Sequence, residues 1–351
     1  MFANVARTEV ISARMIFRSR CFLILIFALA GGAQAEPLAE LAAFSSFKTV
    51  SLDKLASGSV MATRGPTMNF PRGLAVESCY LVRRPLQKAV ELHQQWSPVK
   101  HSDLKVWLHG DLTPRAGTAE FQKLRSAPSN GAVRAFVAAT QKLGSGASDL
   151  QLSKAEAATF AGTPGDAGGT MPAKVADYWS GVLSQRAQAF ASGGLSRQPA
   201  YENGGEAIRV TDDVARLLKE APKVRGQFSA LLDGATGNGG KGSLYWELVG
   251  VEDDAAVNLG ASFAKPGANT WQGLDLQYYS SGGYCALVTL RQMWPVTVGG
   301  QEATLVWQGD LISSVTLGSL HGVERMGSST AMMRETQKFI TRFLGDIAKA
   351  P

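Results

Sequence analysis

Along residues 73–82, GLAVESCYLV, apolar and polar positions alternate, with Leu74, Val76, Tyr80 and Val82 on one face, which is the period of a half-buried strand. Pro85 follows where a first helical turn tolerates proline, and Leu86, Ala89, Val90, His93 and Trp96 then recur at helical spacing. Residues 104–108, LKVWL, read as a second strand. From about 118 to 220 the period becomes helical. Ser129 stands ahead of a stripe made by Val133, Phe136, Val137, Thr140 and Leu143, and Ser153 with Glu156 has the form of a capping box. A third stripe runs through Val175, Tyr178, Trp179, Val182, Leu183 and Phe190 until Gly193 and Gly194 end it. Val214, Leu217 and Leu218 mark one more short helix at 211–220.

After Gly226 strand-like runs recur: QFSALL, LYWELVGV, AVNLGASF, GLDLQYY, YCALVTLRQMW, ATLVWQG and LISSVTL. Gly and Asn/Asp punctuation separates them, and Gly299-Gly300 is hairpin chemistry. No helix-length segment intervenes, so the sheet, over about 222–318, is expected to be antiparallel. A closing helix over about 329–348 carries Met332, Thr336, Phe339, Ile340, Phe343 and Ile347 at spacings of three and four. The order of elements predicts an α+β fold: an antiparallel meander packed on a long C-terminal helix, with a helical block inserted after the first strands.

The start of the chain changes the picture most. Arg14, Arg18 and Arg20 precede a ten-residue apolar run from Cys21 to Ala30, and Gly31-Gly32-Ala33-Gln34-Ala35 closes it. A basic flank, a short apolar stretch and an Ala-x-Ala site predict a signal peptide over residues 1–35, leaving a single α+β domain over 36–351. The apolar run is too short to span a bilayer, so no transmembrane segment is expected after cleavage, and the location is periplasmic or secreted.

Composition adds exclusions. The 351 residues are 45% hydrophobic and 18% charged, with 38 Gly and 14 Pro, which excludes disorder and low-complexity sequence. The whole chain carries a formal charge of +6, but after removal of residues 1–35 there remain 31 Lys and Arg against 28 Asp and Glu, without a basic run. Nucleic acid is therefore not an expected partner. Cys79 and Cys285 are the only cysteines left after cleavage, and an oxidising compartment makes them candidates for a disulfide.

The candidate chemistry is sparse. His101-Ser102-Asp103 and His109-Gly110-Asp111 offer imidazoles and carboxylates, but an extended strand would hold the two groups about 25 Å apart, so neither a metal site nor a cofactor is expected. Ser45-Ser46-Phe47-Lys48 matches S-x-x-K without the K-T-G that serine acyl transfer also needs, and residues 234–242, GATGNGGKG, lack the first glycine and the hydroxyl of a phosphate loop. No other catalytic motif occurs. These features predict an exported, non-enzymatic protein that binds an apolar or amphipathic small molecule, or an envelope partner protein. The candidate ligand-binding residues are Met332, Phe339, Ile340 and Phe343 of the last helix with Trp246 and Trp294 of the sheet. The alternative is a hydrolase assembled from distant residues, with Ser45, Lys48, His101, Asp103, His109 and Asp111 as its candidates.

Overall fold

A computed structural model describes residues 27–145, 149–160, 171–203, 206–236, 242–251 and 253–349. Residues 1–26 of the expected signal peptide, and the glycine-rich segments at 161–170 and 237–241, lie outside them. Among the described residues ten strands are formed: β1 (Met61–Arg64), β2 (Gly73–Val82), β3 (Val106–Leu112), β4 (Tyr201–Asn203), β5 (Glu206–Ile208), β6 (Ser243–Val251), β7 (Asp254–Pro266), β8 (Trp271–Ser280), β9 (Ala286–Val298) and β10 (Gln301–Ser313). Eight of them make one antiparallel sheet in the order β1-β2-β10-β9-β8-β7-β6-β3, and β4 pairs with β5 apart from it. The α+β reading with its antiparallel meander holds. The early strands enclose the meander from both edges, β1 and β2 beside β10 and β3 beside β6.

The helices are α1 (Phe27–Phe44), α2 (Leu52–Ala56), α3 (Leu86–Gln95), α4 (Gly131–Gln141), α5 (Lys154–Ala158), α6 (Ala173–Gly193), α7 (Val210–Glu220), α8 (Pro222–Gln227), α9 (Ser229–Thr236), α10 (Val315–Ser319) and α11 (Gly322–Ile347). None of the described helices is long and apolar enough to cross a membrane. The capping box forms as expected: Ser153 Oγ accepts the Glu156 amide while the Glu156 carboxylate accepts the Ser153 amide.

The two faces of the sheet are unlike. On one, the inserted helical block and α1 bury a continuous core that includes Trp179, Trp246, Trp307, Phe121, Phe136 and Phe190. Glu40 of α1 accepts Trp294 Nε1–H at 2.8 Å, and Phe44 meets Trp307 edge-on at 4.8 Å. On the other face α3 and α11 cover only the β1, β2, β10 and β9 side, through Tyr80, Val82, Val90, Met293, Val306, Ile340 and Phe343. Every residue of β2 is consequently buried, rather than one face of it.

Four expectations need correction. QFSALL is helical, in α8 and α9, because Pro222 opens a helix and Val224, Phe228, Leu231 and Leu232 recur at three and four rather than two. ATLVWQG and LISSVTL are not two strands: residues through Ser313 form one long β10 and Val315–Ser319 is helical. Gly309 suggested a break, but it stays in the strand because the Trp307 ring lies over it, where a Cβ would come within 2.4 Å of that ring. The closing helix starts at Gly322 instead of 329. Finally, Cys79 and Cys285 are free and buried. Cys79 pairs with Trp307, while the Cys285 amide donates to the Ser313 carbonyl, so about six strand residues, roughly 20 Å, separate the two thiols along β10.

Candidate functional site

Between the uncovered part of the second face and the flank of α11 lies a cleft of about 2160 Å³. Its floor follows from strand alternation. The Gly299-Gly300 turn, with φ of +58° and +78°, sets Val298 opposite Gln301, and the register this fixes puts Arg291 opposite Gln308 and Thr289 opposite Asp310. Farther across the sheet Thr289 faces Asp275, Asp275 faces Ser262, and Gln277 faces Gly260, which faces Tyr245. One row of side chains therefore reads Asp310, Thr289, Asp275, Ser262, and the next reaches Tyr245.

These groups are bonded to one another. Asp310, 3% exposed, accepts from Thr289 Oγ1 at 2.7 Å, Gln308 Nε2 at 3.1 Å and Thr336 Oγ1 of α11 at 3.2 Å. Burial pushes its carboxyl above the ordinary range, against the opposing pull of these donors and of Arg291. Arg291 donates Nε–H to Gln308 Oε1 at 3.0 Å and pairs through Nη1 with Asp275, which also accepts from Ser262. The carboxylates beside it, Asp275 foremost, hold its guanidinium firmly charged although burial works against them.

The walls are mixed. Tyr80 donates to or accepts from His93 Nε2 at 2.6 Å. Desolvation, and then the charge of Arg291, hold His93 well below the ordinary imidazole range, so the ring is neutral and its tautomer sets which of the two groups donates. Trp96 meets Phe339 of α11 edge-on at 6.4 Å, and Trp271 lies over Gly273, where a Cβ would fall 2.3 Å from the ring. At the far edge His109 of β3 stacks on Tyr245 at 5.7 Å and contacts Glu247 at 3.2 Å, which raises its pKa.

Of the six candidate ligand residues, Met332, Phe339, Ile340 and Phe343 border the cleft, although Ile340 and Phe343 are largely spent in packing α11 on β2 and β10. Trp246 and Trp294 are on the opposite face, against Phe121 and Phe44. One step of strand parity separates Trp246 from the cleft residue Tyr245, and Trp294 from Met293, which is packed under α3 and α11 on the second face. The hydrolytic candidates fall in three places. Ser45 accepts the Phe47 amide at the end of α1 with Lys48 exposed nearby; His101 and Asp103 bond Asp346 and Arg342 of α11; only His109 and Asp111 border the cleft. Among the described residues no three His, Cys, Asp or Glu side chains gather as a metal site.

The polar floor of Asp275, Arg291, Gln308 and Asp310 was missed in the sequence, where these residues look like the solvent side of ordinary strands. The signal was present in the register that Gly299-Gly300 imposes, which brings Arg291 and Asp310 within two rows of each other. No family model, curated protein or solved structure matches the chain.

Proposed function

We propose that this is an exported binding protein that holds an amphipathic small molecule in the cleft between the sheet and α11. The observation that carries this reading is the unfilled space itself. At about 2160 Å³ it exceeds the 300–1,000 Å³ usual for ligand sites, and it juxtaposes aromatic and aliphatic groups of α11 and its surroundings with a hydrogen-bonded polar floor. A purely apolar ligand would strip the remaining water from the Arg291 and Asp275 pair, whose side chains are 21% and 30% exposed, so the floor favours a ligand with a polar end. Ser45, Lys48, His101 and Asp103 lie apart from the cleft, so they lend the hydrolytic alternative no support.

A fluorescent fatty alcohol tests the reading. It should bind saturably at one equivalent per chain, and Phe339→Asp should weaken it by about tenfold or more, by placing a charge on the apolar wall. Absence of saturable binding, or equal binding by the variant, counts against the cleft.

For export, the support is the position of Pro37. In α1 as it stands Pro37 lies inside the helix, where it has no N–H to give the carbonyl of Ala33. Cleavage after Ala35 would leave Pro37 in the first turn, where proline is tolerated, while Leu41 and Phe44 keep their core places. Mass spectrometry of the exported chain should give Glu36 as the first residue; an intact Met1 or Met15 contradicts this.

A further inference from the structure

Three side-chain amides bordering the cleft keep a polar atom without a hydrogen-bond partner although each residue is more than nine-tenths buried: Gln151 Oε1, Asn258 Oδ1 and Gln277 Nε2, on residues 4%, 5% and 8% exposed. Each would ordinarily destabilise the fold, because a buried polar atom loses its bonds to water and gains none. Their backbones meet at one place. The bulge between Leu259 and Gly260 brings Gln277 opposite Gly260 and Ser280 opposite Asn258. Gln151 is tied to the same strand end, since its amide donates to the Ser281 carbonyl at 2.9 Å and its carbonyl accepts Tyr279 O–H at 3.1 Å.

Beside them is an aromatic plate. Tyr245 lies against Gly260, where a Cβ would sit 2.2 Å from the ring's Cζ, so only glycine lets the ring lie flat at this point of the floor. The unpartnered atoms are two acceptors and one donor. An ammonium group could satisfy the acceptors but would leave Gln277 Nε2 orphaned, and a carboxylate or phosphate would face two carbonyl oxygens with Glu247 opposite Asn258. Two neighbouring hydroxyls can each donate and accept, and the C–H face of a sugar ring packs on an aromatic plate.

We propose that this corner, formed by Gln151, Asn258, Gln277 and the Tyr245 ring, is a subsite for the vicinal hydroxyls of a sugar, so that the ligand is an uncharged glycoside with an apolar tail. The proposal rests on the cleft being the ligand site and specifies the polar end of what it holds. It also explains why buried amides stand where apolar residues would pack without loss.

The test is calorimetric titration of the mature chain with three compounds of equal tail length, each below its micelle concentration: octyl β-glucoside, octyl tetraethylene glycol ether and octanamide. The glucoside should bind about tenfold or more tightly than either of the others. Asn258→Leu and Gln277→Met, which keep size and remove the polar atoms, should each abolish that preference while leaving the thermal midpoint unchanged or higher. The unchanged midpoint separates a lost subsite from a lost fold. Equal affinity for glucoside and ether, or tighter binding of octanamide, overturns the sugar subsite and leaves the amphipathic reading standing. Saturable binding of none of the three overturns both.

Discussion

Glu156→Gln should lower stability by about 3–5 kcal/mol at neutral pH, among the largest losses that one substitution can cause here. Arg186, on α6, is fully buried, and its Nε and Nη2 donate to the two Glu156 oxygens at 2.6 and 2.5 Å while its guanidinium lies 4.1 Å over the Tyr279 ring. Removing the carboxylate leaves a charge that cannot shed its proton in a place without water. It also weakens the cap of α5, where Glu156 accepts from Ser153. The double variant Glu156→Leu/Arg186→Met removes both charges and should recover most of the loss, leaving about 1 kcal/mol for the missing cap. Urea unfolding of the three chains decides this. A Glu156→Gln chain within about 1 kcal/mol of the parent contradicts the assigned role.

The second large effect concerns the cleft floor and depends on pH. Arg291→Met leaves Asp275 with Ser262 alone and takes from buried Asp310 the cation acting on it. The expected loss is about 2 kcal/mol near neutral pH, smaller than for Glu156 because Arg291 and Asp275 keep partial contact with water. The sign of the pH dependence follows from Asp310. Burial raises its native pKa, so between the ordinary Asp range and the raised value the folded chain holds a proton that the unfolded chain has lost. Stability contributed by this group is therefore greatest in acid and falls as pH rises through that window. The Arg291→Met loss should be smaller at a pH below that window, where Asp310 holds its proton, than near neutral pH, and adding Asp310→Asn should recover part of it near neutral pH. An equal loss at both pH values contradicts the coupling.

The legible parts of the fold were those where one period ran long enough to identify itself. LYWELVGV buries alternate residues from Leu244 to Leu248, YCALVTLRQMW identifies itself by its aliphatic and aromatic content, and the Ser153 and Glu156 cap was readable from two residues. QFSALL was too short to separate a buried helix from a strand. Trp246 and Trp294 show a different obstacle. Alternation assigns residues to two faces, but with helices burying both sides of the sheet it does not say which face borders a cavity, and both tryptophans went to the packed side. The cleft itself depends on where α3 and α11 stop covering the sheet. That boundary is set by packing among Tyr80, Phe343 and Met293, residues far apart in the chain.

Photolabelling would show where in the fold the ligand's tail lies. An alkyl glycoside with a diazirine in its tail would be irradiated with the protein, and the modified peptides mapped by mass spectrometry. Label is expected on the stretch around Met332 and Phe339, with Trp271 or Trp96 beside it, suppressed by excess unlabelled glycoside. Label spread over the surface, or concentrated on the opposite face near Trp246 and Trp294, and not suppressed by competitor, would contradict it.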